Sequence, residues 1–249
     1  IMTFHPIPTI MVSSLSHDGG DVTLKALEIG AVDYVAKPSN RFSCDVKNVI
    51  HDLYQKIKTA STITMGRNGT TKTNQQKRTD SRILQLKSAQ QNYTMFKGTN
   101  KIVVIGASTG GTEALKEVLM QMPADSPGIA IVQHMPEIFT KAFAQRLDSL
   151  CAIKVREGKN GDSLTQGQAI IAPGNYHMKL RRNGSMYYIE TSQEERVHHQ
   201  RPAADVLFES AARFAGLNAV GVIMTGMGAD GARGLLKMKE SGAKTIAQD

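Results

Sequence analysis

The stretch Lys101-Ile-Val-Val-Ile-Gly-Ala-Ser-Thr-Gly-Gly-Thr-Glu-Ala-Leu-Lys116 decides the fold of this chain. A short apolar strand runs directly into a serine that lies between glycines, and a helical pattern begins after them. The segment from Gly106 to Gly110 fits the G-x-S-x-G pattern of a nucleophile on a sharp strand-to-helix turn. The sequence therefore predicts a serine hydrolase with Ser108 as its nucleophile. The alternative is that the same glycines form a phosphate-binding turn.

Strands and helices alternate on both sides of this stretch, which predicts an α/β fold with a doubly wound, mostly parallel sheet over residues 99–249. An Asn183-Gly184 pair adds an antiparallel hairpin. The expected strands are 102–105, 129–133, 153–157, 169–172, 178–181, 186–190, 219–225 and 244–247. The expected helices are 112–122, 137–149, 203–215 and 231–241.

Residues 1–59 have a β-α-β-α order with only two strands, 8–14 and 31–36. Two strands do not make an independently stable sheet, so we expect the earlier part of this domain to lie upstream of residue 1. The second helix, 45–58, is predicted to be amphipathic. Its apolar face consists of Val46, Val49, Ile50, Leu53 and Ile57.

The charge of the chain is concentrated in one segment. Nine of its basic residues and a single acid, Asp80, lie between Lys56 and Asn100, which accounts for the whole net charge of +8. That segment is rich in polar residues and lacks apolar periodicity, so 60–98 is predicted to be a flexible basic linker. A basic arm that contacts an acidic partner is the alternative. The remainder is neutral, which argues against nucleic-acid binding.

The other compositional features point to a cytoplasmic protein. No apolar run approaches the roughly 20 residues of a membrane span, so we expect no membrane insertion, and the first residues do not resemble a signal peptide. Cys44 and Cys151 lie far apart in unrelated contexts, and we interpret them as reduced thiols.

Three polar residues follow predicted strands at their carboxyl ends, where doubly wound sheets form their sites. Ser108, His134 and Asp230 are the components of a nucleophile, a base and a carboxylate that orients the base. The helix after Ser108 offers backbone N–H groups to a developing oxyanion. The order Ser…His…Asp differs from the Ser…Asp…His order of the α/β-hydrolases, so a lineage outside that superfamily is expected.

Each of these residues also has a structural interpretation, and other site types were weighed. Ser108 could be a turn residue, His134 a core or surface histidine, and Asp230 the N-cap of the following helix. Dinucleotide binding would need an acid at the end of the second strand, where Gln133 and His134 stand. The histidines show no zinc-ligand motif, so no catalytic metal is expected.

Five segments together resemble the catalytic domain of the chemotaxis protein-glutamate methylesterase (CheB) family, over about 99–249. They are Gly106-Ala-Ser-Thr-Gly-Gly111, Gln133-His-Met-Pro136, Ile171-Ala-Pro-Gly174, Arg201-Pro202 with Asp205-Val-Leu-Phe208, and Thr225-Gly-Met-Gly-Ala-Asp-Gly231. The chain departs from the family at Gln200 and Ala229, where His and Asn are frequent. The family continues beyond the position of Asp249, so we expect a fragment that is truncated at both ends.

The resemblance implies a cofactor-free enzyme that hydrolyses glutamyl γ-methyl esters on methyl-accepting chemotaxis receptors and also deamidates receptor glutamines. The family's triad falls on Ser108, His134 and Asp230. Thr109 and Met227 match residues that line the family's site. The alternative from another functional class is a non-catalytic binding module that a receiver domain controls.

Residues 1–59 resemble the second half of a flavodoxin-like receiver domain, the usual N-terminal partner in this family. The resemblance implies that Ser13, Tyr34 and Lys37 belong to a phosphorylation switch, with the chemotaxis histidine kinase as phosphodonor. Mg²⁺ is expected only for receiver phosphorylation, and its ligands match no residue of this chain. We expect a monomer in which the unphosphorylated receiver blocks the active site.

Overall fold

The computed structural model describes residues 5–13, 22–23, 25–27, 29–37, 43–63, 100–226 and 228–248. Most of the predicted linker, from 64 to 98, lies outside the described residues, and so does Met227. No helix among the described residues is long and apolar enough to cross a membrane.

The N-terminal segment contains two parallel strands, β1 (Ile10–Ser13) and β2 (Asp33–Ala36), followed by helix α1 (Ser43–Ala60). The predicted apolar face of α1 is only partly covered, because Ile50 is 61% exposed and Ile57 is 52% exposed. Lys56 is buried instead, and its ammonium group lies 3.3 Å from the carboxylate of Asp33. The described part of this segment thus packs around an ion pair as well as around apolar side chains.

The second segment alternates strands and helices as predicted, and the α/β fold class is confirmed. Its elements are β3 (Ile102–Ala107), α2 (Gly111–Leu119), β4 (Gly128–Gln133), α3 (Glu137–Asp148), β5 (Lys154–Glu157), β6 (Ser163–Leu164), β7 (Gln168–Ile171), β8 (His177–Asn183), β9 (Met186–Ser192), α4 (Ala204–Phe214), a 3₁₀ turn (Gly216–Asn218), β10 (Ala219–Ile223), α5 (Ala232–Glu240) and β11 (Lys244–Ala247).

Six strands form one parallel sheet in the order β11-β10-β3-β4-β7-β5. Every residue of β4 is buried, as expected for a parallel strand with helices on both faces. Successive residues of these strands contribute to two different cores. Val104 packs with Leu207 and Phe208 of α4 on one face, whereas Ile105 packs with Leu115 of α2 and with α3 on the other.

The antiparallel hairpin forms as predicted but belongs to a separate three-stranded sheet, in the order β6-β9-β8. Its turn lies one residue later than the Asn183-Gly184 pattern indicated, because Asn183 pairs with Met186 and leaves Gly184 and Ser185 in the loop. Strand β6 is two residues long, too short to produce a periodic pattern, and was not predicted. This small sheet packs through β8 onto α4, the helix whose first residue donates a hydrogen bond to Asp230.

Candidate active site

Ser108 lies immediately after β3, at the carboxyl end of a central strand of the sheet. Its backbone N–H donates to the carbonyl of Thr225, 2.9 Å away, which ties the turn to the chain after β10. Gly110 has φ +75°, a conformation that glycine adopts without strain, and α2 begins at the next residue. A Cβ at Gly226 would stand 2.7 Å from the Cβ of Ser108. The glycines therefore allow a tight turn with another segment pressed against it.

His134 follows β4, the direct parallel neighbour of β3. Ala107 and Gln133 are register partners at the ends of these strands, and the His134 N–H donates to the Ala107 carbonyl at 3.2 Å. Parallel neighbours end at the same edge of the sheet, so the side chains that follow them meet. The Nδ1 atom of His134 lies 3.0 Å from the Ser108 hydroxyl oxygen.

Asp230 reaches the same edge from the loop between β10 and α5. Its Oδ2 lies 2.7 Å from Nε2 of His134, on the side of the ring opposite to Ser108. Oδ2 also accepts the N–H of Ala204 at 2.7 Å, and Oδ1 accepts the N–H of Asp205 at 2.9 Å. Because Ala204 and Asp205 are the first residues of α4, Asp230 caps a helix that lies more than twenty positions before it in the chain.

The surroundings of Asp230 keep its carboxylate ionised. Burial alone would raise its pKa, but the hydrogen bond and charge of His134 and the N–H groups of Asp205 and Ala204 outweigh burial and hold the pKa below its usual value. The positive end of the α4 dipole acts in the same direction. A carboxylate at this position is a fixed negative charge next to the imidazole.

The ionised carboxylate also decides which ring nitrogen carries the proton. An ionised Asp230 can only accept hydrogen bonds, so Nε2 of a neutral His134 must be the N–H donor. Nδ1 is then left with its lone pair toward Ser108, and it can accept the hydroxyl proton. The two ring nitrogens are used in the reverse order from the serine-protease template, but with the same chemical consequence.

A further side chain fixes the serine turn and was not singled out from the sequence. The amide Nε2 of Gln133 donates to the carbonyl of Ser108 at 2.9 Å. Gln133 is the last residue of β4 and stands directly before His134, so one strand end supplies both the base and this backbone contact. The glutamine was visible within the Gln133–Pro136 motif, but periodicity marked it only as the end of a strand.

The two predicted neighbours of the triad have different outcomes. Thr109 is buried, and its carbonyl accepts the hydroxyl of Thr225 at 2.9 Å, so it helps to hold the two loops together. Met227 lies outside the described residues. A small cavity of about 60 Å³ opens at the triad and is lined by Ala107, Ser108, His134, Ala204, Ile223, Met224, Thr225, Gly226, Gly228 and Asp230.

The predicted switch residues lie on the N-terminal segment, and one of them, Lys37, lines the same cavity as His134. Ser13 is the last residue of β1 and Lys37 directly follows β2, and the N–H of Lys37 donates to the Ser13 carbonyl at 2.7 Å. Tyr34 is buried, and its ring contacts the ring of Phe139 edge-on at 4.6 Å between centroids. Burial, assisted by the charges of Asp33 and Asp52, raises the pKa of the Tyr34 hydroxyl. Pro38 lies outside the described residues.

A larger cavity of about 380 Å³ separates α1 from the triad edge of the sheet. Lys37, Asp52 and Lys56 contribute to it from the N-terminal segment, and His134 and Arg201 contribute from the other side. The charge of His134 is among the influences on the pKa of Asp52, which burial raises above its usual value. The N-terminal segment and the candidate base therefore line one cavity.

One group of side chains among the described residues has a composition that could suit a metal ion. Atoms of His198, Asp205 and Asp230 lie within 4.8 Å of one another. Their oxygens, however, already accept hydrogen bonds from N–H groups of α4, α5, His134 and His198. We interpret the group as a hydrogen-bonded network rather than as a metal site.

Comparisons with known proteins identify the family of this chain. The CheB methylesterase family model matches residues 103–249. A protein-glutamate methylesterase/protein-glutamine glutaminase of Syntrophus aciditrophicus is 53% identical over 249 residues, which is all of this chain and 69% of that protein. A similarly named protein of Anaeromyxobacter dehalogenans is 49% identical and is matched over 68% of its length.

A solved structure gives the same result for the fold. The catalytic domain of CheB methylesterase from Thermotoga maritima is similar with a TM-score of 0.58 and 39% identity. The similarity covers 60% of this chain and 79% of that one. Sequence and structure comparisons thus agree on one family over the segment that carries Ser108, His134 and Asp230. The chain belongs to the CheB methylesterase family of ester hydrolases.

Proposed function

We propose that this protein hydrolyses glutamyl γ-methyl esters on methyl-accepting chemotaxis receptors and deamidates receptor glutamines, with Ser108, His134 and Asp230 as its catalytic triad. The observation that carries the proposal is the continuous hydrogen-bonded chain from the Ser108 hydroxyl through His134 to Asp230. The names of the relatives, protein-glutamate methylesterase and protein-glutamine glutaminase, support the choice of substrate.

The proposed reaction proceeds in two steps. The Ser108 oxygen attacks the ester carbonyl while Nδ1 of His134 takes the hydroxyl proton, and Asp230 stabilises the imidazolium that forms. The C–O bond to the methoxy group breaks, and methanol leaves with the proton from His134. A water molecule then attacks the acyl-enzyme with His134 again as base. A glutamate carboxylate and free Ser108 result, and with glutamine ammonia leaves instead of methanol.

The start of α2 suits the negative charge of the tetrahedral intermediate. The N-terminus of a helix presents backbone N–H groups and a positive dipole end. Ser108 precedes α2 by two turn residues, so an ester carbonyl that reaches the hydroxyl also comes near this helix end. We propose that Thr109 and Met227 belong to this substrate neighbourhood, since in the sequence each stands next to a glycine, Gly110 or Gly226.

We further propose that residues 1–59 act as a receiver segment that restricts access to the triad until it is phosphorylated by the chemotaxis histidine kinase. Support comes from the contact between Tyr34 and Phe139 and from the cavity that α1 shares with His134. In this proposal Ser13, Tyr34 and Lys37 transmit the phosphorylation. The carboxylates Asp33 and Asp52 both pair with Lys56. They do not fit a Mg²⁺ ligand set.

The setting of the proposed enzyme is the cytoplasm, where chemoreceptors present their methylated helices. Cys151 is a free thiol in the structure, which is compatible with a reducing compartment. We propose a monomer that needs no cofactor for ester hydrolysis, since the nucleophile, the base and the orienting carboxylate all come from one chain.

The proposal is tested by methanol release from methylated receptor membranes. The protein and its Ser108→Ala variant are compared, together with Ser149→Ala, which removes an exposed serine at the end of α3. Loss of the nucleophile should lower the rate by roughly 10³-fold or more, whereas Ser149→Ala should leave it unchanged. Equal rates for the protein and Ser108→Ala would exclude the proposed esterase mechanism. Ammonia release from receptors with glutamine at these sites tests the deamidase activity.

A further inference from the structure

Behind the triad, two helices begin side by side, and each is capped by a carboxylate that belongs to the other. Asp230, which precedes α5, accepts the first N–H groups of α4. Asp205, in the first turn of α4, accepts the N–H of Gly234 in the first turn of α5 at 2.6 Å. The first N–H groups of a helix have no partner within the helix, so each of these carboxylates satisfies donors that would otherwise be unpaired.

The Asp205 carboxylate is buried more deeply than any triad side chain. Its side chain has 0% exposure, compared with 5% for Asp230 and 11% for His134. Its second oxygen faces Nε2 of His198 at 3.0 Å. Arg233 approaches the same oxygen only to 3.8 Å and is itself paired with Glu209. A fully buried carboxylate persists only when it is hydrogen-bonded, and His198 is the nearest side chain that hydrogen-bonds to this one.

The close approach of α4 and α5 leaves no room for a side chain at Gly234. A Cβ at Gly234 would lie 2.6 Å from the Cβ of Phe208 and 3.1 Å from the Cα of Asp205. The start of α5 is therefore pressed against α4, and its position follows from the Asp205 contact. Asp230 lies four residues before Gly234, so displacement of the start of α5 displaces the carboxylate that orients His134.

We propose that Asp205 is a positioning residue for the triad, one that locks the start of α5 against α4 and thereby fixes Asp230 on His134, with His198 as its hydrogen-bond donor. This inference rests on the proposed function of the triad. His198 and Asp205 thus form a second acid–histidine pair. In this proposal the second pair does not contact the substrate but holds the first pair, His134 and Asp230, in place.

Two substitutions separate geometry from charge. Asp205→Asn keeps an oxygen for the Gly234 N–H, and its amide can face His198 in the other tautomer, so the capping geometry survives without the charge. Asp205→Ala removes the acceptor, leaves a buried N–H unpaired and frees the start of α5. Ser210→Ala is the control, because Ser210 is buried on the same helix and its hydroxyl joins Leu180 and Leu207 without contact to the triad.

The first readout needs no substrate. The proton that His134 Nε2 shares with Asp230 should give a far-downfield ¹H signal in protein labelled with ¹⁵N-histidine. We expect Asp205→Ala to abolish or shift that signal and Ser210→Ala to leave it unchanged. An unchanged signal in Asp205→Ala would overturn the proposal whatever the enzyme acts on. A signal that depends on Asp205 in a protein without esterase activity would instead contradict the proposed function alone.

The second readout is the separate effect of each substitution on kcat and on KM in methanol release. Asp205→Ala should lower kcat by about 10²-fold, the order expected for a misplaced catalytic group, with a smaller change in KM. Asp205→Asn keeps an acceptor for the Gly234 N–H, so its kcat should stay within about tenfold of that of the unmodified protein. Ser210→Ala should destabilise the protein without lowering kcat. An unchanged kcat in folded Asp205→Ala would refute positioning by Asp205.

Discussion

Replacement of Asp230 by asparagine is the most direct test of the proposed mechanism, because the structure shows hydrogen-bond partners for both oxygens of this carboxylate. Oδ2 serves His134 and Ala204, and Oδ1 serves Asp205. An asparagine offers one oxygen and one NH₂ group in the same space. If the oxygen takes the Oδ2 position, the NH₂ group opposes the N–H of Asp205. In the flipped orientation the NH₂ group opposes the N–H of Ala204 and forces His134 into the tautomer that cannot take the Ser108 proton.

Two magnitudes follow from this geometry. Opposite charges about 4 Å apart at an effective dielectric constant of about 20 attract by about 4 kcal/mol, so loss of the carboxylate should slow hydrolysis by roughly 10³-fold. The opposed N–H groups cost about 1–3 kcal/mol of folding stability in either orientation. The carboxyl pKa of Asp230 is lowered in the folded protein, so its stabilising contribution is complete above the unfolded pKa and is lost as pH falls through the folded one. The stability difference between the protein and the variant should therefore be largest near pH 7 and shrink below about pH 4.

The assay combines methanol release with chemical denaturation at several pH values. Asp125→Asn is the matched control, because it removes an exposed carboxylate from the turn before β4, at the opposite end of the sheet. The control should match the unmodified protein in both measurements. An Asp230→Asn variant that keeps more than about a tenth of the activity would refute the assignment of Asp230 as the orienting carboxylate, since even the electrostatic contribution alone predicts a larger loss.

Three further predictions follow from single contacts. Gly226→Ala places a Cβ 2.7 Å from that of Ser108, so kcat should fall about 10- to 100-fold in a folded protein, and an unchanged kcat would show that the turn can yield. Burial, with the charge of Asp33, raises the pKa of Asp52 against the opposing effect of Lys56, so the ionised carboxylate costs stability at neutral pH. Asp52→Asn should therefore raise the melting temperature at pH 7, and this advantage should disappear below about pH 4. A lower melting temperature of the variant at pH 7 would contradict the direction of this pKa shift. Tyr34→Leu removes the edge-on contact with Phe139 and should raise methanol release by the unphosphorylated protein. The control Tyr54→Leu changes a residue of α1 that is 61% exposed and should leave the rate unchanged. Equal rates for the two variants would argue against a receiver that restricts the site.

The sequence was sufficient to place Ser108 and His134 at neighbouring strand ends, because the ends of parallel strands carry positional information. An apolar run in an alternating α/β pattern predicts a parallel strand, and the residue after such a strand lies at the edge where sites form. Ser108 and His134 were found in this way, and register partners Ala107 and Gln133 show why they meet. The apolar face of α1 was less predictable, since spacing shows which residues share a face but not whether another element covers it. Ile50 and Ile57 share the predicted face and remain exposed among the described residues.

The hydrogen-bond partners of Asp230 could not be predicted from the sequence. Its position directly before α5 favoured a local N-cap as the structural alternative to catalysis, yet the N-cap of α5 is Gly231 and has no side-chain cap. The carboxylate caps α4 instead, and Asp205 of α4 caps α5. Capping and the proposed catalytic role are therefore compatible at this residue. The N–H groups of α4 hold the carboxylate ionised and in place, which is the condition under which it can fix the proton of His134 on Nε2. A pairing between helix starts so far apart in the chain leaves no periodic signal, because it depends on how closely α4 and α5 pack at Gly234, and that distance is set only when the sheet has formed.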